Sequence, residues 1–199
     1  MQNTLNIQKI SHRRGNRLSK TSDLASSFIS SVNDDLPLIE PVKKINIAHM
    51  LMLVKQNVLD KKTANKCIKT LKLIDDSFKL NSSLEDVHMN VESFVISRLG
   101  NEIGGQLNLA KSRNDQVATD LRMYVRDEII IVIENINDLQ KTIIGLAEKY
   151  NKSIIPGFTH LQIAQPVTFG FILMAWFFML ERDKERFINS FGRANICPL

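Results

Sequence analysis

Between Asp115 and Tyr150 the chain carries one glycine, Gly145, and no proline. Nothing else in that stretch interrupts an α-helix, whose commonest breakers are those two residues. Val125, Ile129, Val132, Ile136, Leu139, Ile143 and Leu146 are spaced at alternating intervals of four and three, a heptad seam sustained over three repeats. Ile130, Ile131, Ile133 and Ile144 lie off that seam, so more than one face of the helix is apolar. Such a helix needs neighbours on several sides, as in a bundle.

The rest of the chain reads as helical too. Its 199 residues include only eight glycines and five prolines, and few breaks favour long helices. A helix is expected from about Pro41 to Leu53, and Asp60 is a plausible N-cap for another whose stripe is Ala64, Cys67, Ile68, Leu71 and Ile74. Ser83 to Glu92 opens a third, with Glu85 and Asp86 in its first turn, where acids suit the helix dipole. Gly100, Gly104 and Gly105 end it and begin a loop. Val167 to Leu180 is almost entirely apolar, but it is short for a bilayer and Glu181-Arg182-Asp183-Lys184 comes at once after it. A buried core helix is the expectation. No strand-like alternation is evident, so the fold class expected is all-α. Three divisions are expected: a basic irregular arm over 1–27, an N-terminal helical domain over 28–110, and a partial helical bundle over 111–199. Irregular chain is expected as far as residue 36, ending in a cap-like cluster, Ser30-Ser31 and Asn33-Asp34-Asp35.

Charge is unevenly placed. The net +5 is accounted for by Lys9, Arg13, Arg14, Arg17 and Lys20, which precede the first acid, Asp23. The remaining body is balanced and carries no nucleic-acid footprint. The arm is either an organelle presequence or a solvated segment folding over a neighbouring surface, and it lacks the apolar stripe of the former. Cys67 and Cys197 lie far apart and form no CxxC pair, which fits a reduced, cytoplasmic setting.

Two short stretches carry the chemistry. Ile155 to Pro166 sets Thr159, His160, Gln162 and Gln165 between prolines and between two apolar helix patterns, so its polar groups are offered from a connection. His160 can give or take a proton near neutral pH, and the Thr159 hydroxyl can bind a carboxylate. The plainer alternative is a capped loop in which Pro166 opens the next helix and His160 satisfies a carbonyl. The other stretch, Ser112-Arg113-Asn114, begins the long helix, where backbone N–H groups favour an anion and the Arg113 guanidinium offers a fork of donors. Alternatively Arg113 pairs with Asp115 or Asp120, and Asn114 is only a cap. His88 reads as a surface, packing or ligand-facing residue.

A helix from Asp115 to Lys149 is about 52 Å long, whereas the chain from Tyr150 to His160 reaches at most about 36 Å. Within one chain His160 cannot return to Asn114. If both serve one site, they come from different subunits of a helical oligomer.

Ser112-Arg113-Asn114-Asp115-Gln116-Val117-Ala118-Thr119-Asp120 resembles the signature of argininosuccinate lyases, and Pro156-Gly157-Phe158-Thr159-His160-Leu161-Gln162 with Ala164-Gln165-Pro166 resembles their second signature. Glu85-Asp86-Val87-His88-Met89 and Ile47-Ala48-His49 resemble the N-terminal part of those enzymes. The resemblance covers roughly residues 28 to 199. Adenylosuccinate lyases, fumarases and aspartases share the Thr-His loop and the bundle but not the Ser-Arg-Asn-Asp-Gln run.

The resemblance implies reversible β-elimination of argininosuccinate to arginine and fumarate, without cofactor or metal, in a tetramer with shared sites. His160 matches the catalytic histidine. Arg113, Asn114 and Thr159 match substrate-binding positions, and Ser31 matches a substrate-binding serine by place. Where the family reads His-Thr-Gly-Arg, this chain has Asn108-Leu109-Ala110-Lys111. Members run to well over twice this length, so the loop bearing the catalytic serine and three bundle helices would lie beyond Leu199. The chain is therefore expected not to turn over alone. Two other readings are a non-catalytic fragment or partner docking on a complete lyase, and another superfamily lyase such as adenylosuccinate lyase.

Overall fold

The structure, a computed structural model, describes residues 22–198. The basic arm up to residue 21 lies outside the described residues. The chain forms two units, one ending at Asp120 and the other running from Leu121 to the C-terminus.

In the first unit the helices are α1 (Asp23–Ile29), α2 (Ile39–Lys55), α3 (Lys61–Leu71), α4 (Val87–Leu99) and α5 (Asn101–Gly104), with one-turn 3-10 segments at Leu36–Leu38 and Gly105–Asn108. Residues 23–29 are thus helical where irregular chain is expected. Ser22 makes the difference by accepting the Ala25 N–H at 3.2 Å as an N-cap. Asp60 caps α3 by accepting the Thr63 N–H at 2.9 Å, and Asp86 caps α4 by accepting from Met89 at 2.6 Å. Gly100, at φ +76°, ends α4, but the chain then enters α5 and a 3-10 turn rather than a loop. Gly104 is required there, since a Cβ would stand 2.7 Å from the Ile96 backbone. The core is Val42, Met50 and Leu53 from α2, Ala64, Cys67 and Leu71 from α3, and Val87, Val91 and Val95 from α4, closed by Ile74 and Leu107. The α3 stripe read from sequence meets the core here, whereas α2, expected to pattern on Ile45, Ala48, His49, Leu51 and Met52, instead buries Val42, Asn46, Met50 and Leu53 at steps of four and three.

In the second unit lies most of α6 (Arg113–Lys149), which is unbroken over 37 residues, about 55 Å. After the connection comes α7 (Phe169–Ala194). Ile143 and Ala147 pack on Leu173, with Phe169, Met174, Phe177 and Leu180 around them. Gly170 lets the helices meet, as a Cβ there would stand 2.7 Å from the Ala147 carbonyl oxygen. Gln140, buried in this contact, donates to the Phe177 carbonyl and to Glu181 and accepts from Lys184.

The protein is overwhelmingly helical, as expected, with one correction. Ile154–Thr159 (β1) and Gln162–Thr168 (β2) form an antiparallel hairpin. Strand alternation fails to announce it because only Ile155, Gly157, Val167 and Thr168 along it are even partly covered. Pro166 is a strand residue opposite Pro156, not the first residue of a helix. Thr168 is the N-cap of α7, accepting from Phe171 at 3.2 Å. A second correction concerns Val167–Leu180. Only Gly170 and Leu173 of α7 are buried, while Phe171, Trp176, Phe178 and Met179 are more than half exposed. Among the described residues no helix is long and apolar enough to cross a membrane.

Candidate functional site

The N-terminus of α4 is the anchor of the first unit's polar corner. Asp86 caps the helix and also receives the Arg113 guanidinium, whose Nη1 lies 3.1 and 3.3 Å from its two carboxylate oxygens. Glu92, further along the same helix, stands 3.7 Å from Arg113 Nη2. Arg113 therefore pairs with Asp86 and Glu92 across helices. Its side chain is 14% exposed, so these charges attract one another at reduced dielectric.

Glu85, one residue before Asp86, holds the other side of the corner. Its carbonyl accepts the Ser31 N–H at 3.0 Å and the Ser30 hydroxyl at 3.3 Å. Asp35 is buried beneath, and its Oδ2 accepts both the Ser31 hydroxyl and the Val87 N–H at 2.9 Å. Ser31 and Arg113, distant in sequence, thus hang from two adjacent residues.

The turn entering α6 is pinned to α2 at two points. His49 Nε2 donates to the Leu109 carbonyl at 2.8 Å, and Lys111 Nζ donates to Asn46 Oδ1 at 2.6 Å. Between them Ala110 sits at φ +54°, in the left-handed region that favours glycine. Burial pulls the Lys111 ammonium down to about 8 against the opposing pull of Glu92. Burial likewise lowers His49, opposed by its bond to Leu109 and assisted by the Lys111 charge. Asn114 lies on the first turn of α6 with its side chain exposed. His88 is a packing residue, buried on α4 with its Nε2 3.1 Å from Asp120 Oδ2.

Thr159 and His160 belong to the second unit, at the tip of the hairpin. Thr159 pairs with Gln162, leaving a two-residue turn of His160 at φ +51° and Leu161 at φ +64°. Two successive positive φ values define a type I′ turn, normally built from asparagine and glycine. Thr159, His160 and Leu161 are all exposed. Gly157 supplies the irregularity in register between Pro156 and Phe158, where a Cβ would meet the Gln165 carbonyl oxygen at 2.7 Å.

The structure joins Ser31, Arg113 and the start of α6 in one corner, and presents Thr159 and His160 together on another element. Asp35, Asn46 and Glu92 hold Ser31, Lys111 and Arg113 in place, and sequence reasoning passed over them. Asp35 was visible only as one of a cap-like cluster, and nothing in the sequence paired Asn46 with Lys111. Among the described residues no group of three or more His, Cys, Asp or Glu side chains is placed to hold a metal ion.

Residues 17–199 match the protein family described as Lyase. The argininosuccinate lyase of Staphylococcus epidermidis is 44% identical over 177 residues, covering 86% of this chain and 38% of that protein. The argininosuccinate lyase of Stutzerimonas stutzeri is 42% identical over 201 residues, covering 98% and 43% respectively. The chain thus spans about two fifths of the length of the curated relatives it matches. An EDDS lyase variant with bound fumarate superposes with TM-score 0.75 at 22% identity, over 92% of this chain and 37% of that one. A fumarate lyase:delta crystallin from Brucella melitensis gives TM-score 0.73 at 17% identity, over 88% and 47%. At such identities these last two speak for the fold alone, a helical one shared over nearly the whole described chain. On the family match over almost its full length, this chain belongs to the lyase family.

Proposed function

We propose that the chain supplies part of the active site of an argininosuccinate lyase, cleaving argininosuccinate reversibly to arginine and fumarate. The observation that carries this reading is identity of about two fifths to curated argininosuccinate lyases over 86% to 98% of the chain. The elimination removes a proton from the carbon next to a carboxylate, and negative charge develops on that carboxylate. Donors aimed at it lower the barrier. Arg113, Asn114 and Thr159 are the residues for that role, and the approach of Asp86 and Glu92 to Arg113 fixes the guanidinium in place. The departing guanidino nitrogen needs a proton, for which His160 is the acid/base group. Its place on an exposed two-residue turn gives it access to a substrate held elsewhere. Left-handed backbone at both turn residues is the kind of strain that functional loops retain.

The site is completed, in this reading, between subunits of a homotetramer in the cytoplasm. The unbroken α6 supports this, since His160 cannot return along its own chain to Asn114. So do the exposed apolar residues of the bundle helices, among them Ile131, Leu139 and Trp176.

The test is fumarate release from argininosuccinate, monitored by ultraviolet absorbance. The purified chain alone should show none. Mixed with a separately expressed C-terminal three fifths of a related lyase, it should regain turnover that His160→Asn abolishes. Failure of every such mixture to turn over, with both parts folded and associated, would count against the reading.

A further inference from the structure

We propose that the outward face of α3 is a docking surface for the phosphate backbone of a nucleic-acid duplex, bound without regard to base sequence. The proposal is independent of the lyase reading. From Lys61 to Lys72 the chain reads Lys-Lys-Thr-Ala-Asn-Lys-Cys-Ile-Lys-Thr-Leu-Lys, a run with five cations and no acid. The balanced charge of the body as a whole therefore hides a local separation.

The fold turns that separation into a surface. Ala64, Cys67 and Leu71 are buried in the core of the first unit and Asp60 caps the helix, so the orientation of α3 is fixed. At about 100° per residue the five lysines and Asn65 occupy an arc of about 140° on the other side, over about 17 Å of helix. All five lysines are exposed, and among the described residues none of them makes an ion pair. Lys61, Lys62, Asn65, Lys66 and Lys69 line an open depression of about 450 Å³. The nearest acids in sequence, Asp60, Asp75 and Asp76, stand beyond the two ends of the row, and Asp60 and Asp75 are bonded to Thr63 and Ser77.

Like charges this close repel, and a polyanion relieves them while releasing its own condensed counterions. Three features select its kind. The apolar stripe of α3 is committed to the core, so the helix has no face to sink into a lipid surface. The run has no aromatic side chain to stack on unpaired bases and no arginine to fork onto a guanine edge, which leaves point charges that meet phosphate. The lysines stand on a rigid rod and suit a rigid duplex with one charge per about 1.7 Å, whereas an acidic peptide would have to be ordered on binding.

Fluorescence anisotropy of the full chain with labelled DNA duplexes of two unrelated sequences, over about 50 to 200 mM salt, tests this. Both duplexes should bind alike and weaken as salt rises. Lys62→Gln with Lys66→Gln and Lys69→Gln, exposed positions where glutamine keeps the helix, should flatten the slope of log K against log salt by about 3 and weaken binding at least about tenfold at the lower salt. Lys61→Gln with Lys72→Gln should flatten it by about 2. The same differences should persist when Lys9, Arg13, Arg14, Arg17 and Lys20 are all changed to glutamine, which removes the share of the basic arm. The inference is overturned if the wild-type chain binds neither duplex, or if both lysine variants, with unchanged helical circular dichroism, bind like wild type. It is equally overturned if the lysine changes weaken binding to phosphatidylserine vesicles or to poly-glutamate but not to the duplexes.

Discussion

Ala110 and Lys111, neighbours at the entry to α6, act on stability through the backbone and through burial. Ala110 holds φ +54°, where the resemblance to argininosuccinate lyases leads to the expectation of glycine, so a Cβ sits on a left-handed residue. That conformation costs about 1 kcal/mol for a non-glycine residue. Ala110→Gly should raise stability by about 1 kcal/mol, seen as a higher urea midpoint at unchanged slope. Lys111 is charged below about 8 in the folded chain but only below about 10.4 when unfolded. Between those values the unfolded state binds more protons, so stability climbs with pH and the penalty of the buried ammonium is relieved. From pH 7 to pH 9 the gain should be about 1 kcal/mol. Lys111→Met should flatten that rise in denaturant titrations; an equally steep rise in the variant would show that Lys111 is not its source.

At the scale of elements, the hairpin is the part most at odds with its own sequence. Leu161 is 94% exposed and holds φ +64°, so it gains nothing from burial while bearing the strain of a type I′ turn. Leu161→Gly should increase hydrogen-exchange protection of the β1 and β2 amides several-fold, on the order of the 1 kcal/mol of strain relieved. Protection that stays level or falls would mean that the leucine holds the turn through contacts of its own. The places of α2, α3 and α4 were legible in advance, because apolar spacing and caps are local signals, whereas α1 and α5 fall where irregular chain and a loop are expected. Asp60 caps where expected, whereas Asp86, expected inside the first turn of its helix, is the N-cap of a helix that begins later. The hairpin was not legible, because both its faces are largely open to solvent and burial imposes no alternation.

For the whole molecule, the issue is apolar surface. Along α6 the seam residues divide: Ile129 and Ile143 are buried, whereas Val125, Leu139 and Leu146 are exposed, as are Ile130, Ile131 and Ile144 off the seam. On α7, Phe171, Trp176, Phe178 and Met179 are exposed too. A helix pair buries one stripe of each helix, and a sequence apolar on several faces is written for more neighbours than that. Sedimentation velocity at rising protein concentration should show species heavier than the 22.7 kDa chain. The double change Leu139→Glu with Trp176→Glu should return it to the monomer without loss of helical circular dichroism. A monodisperse monomer at every concentration would contradict the oligomeric reading.

By itself the sequence determined the helical class, the length of α6, the cap of α3, and the two signature runs. Each of these is set by neighbours within a turn or two: the spacing of apolar residues, an acceptor before a first turn, a stretch without proline. Only the tertiary structure decided that Arg113 pairs with Asp86 and Glu92, that Asp35 holds the Ser31 proton, and that Lys111 is buried against Asn46. Those pairings join residues up to 65 positions apart. Which carboxylate meets which cation at such separation depends on how α2, α4 and α6 pack, and no local pattern encodes that.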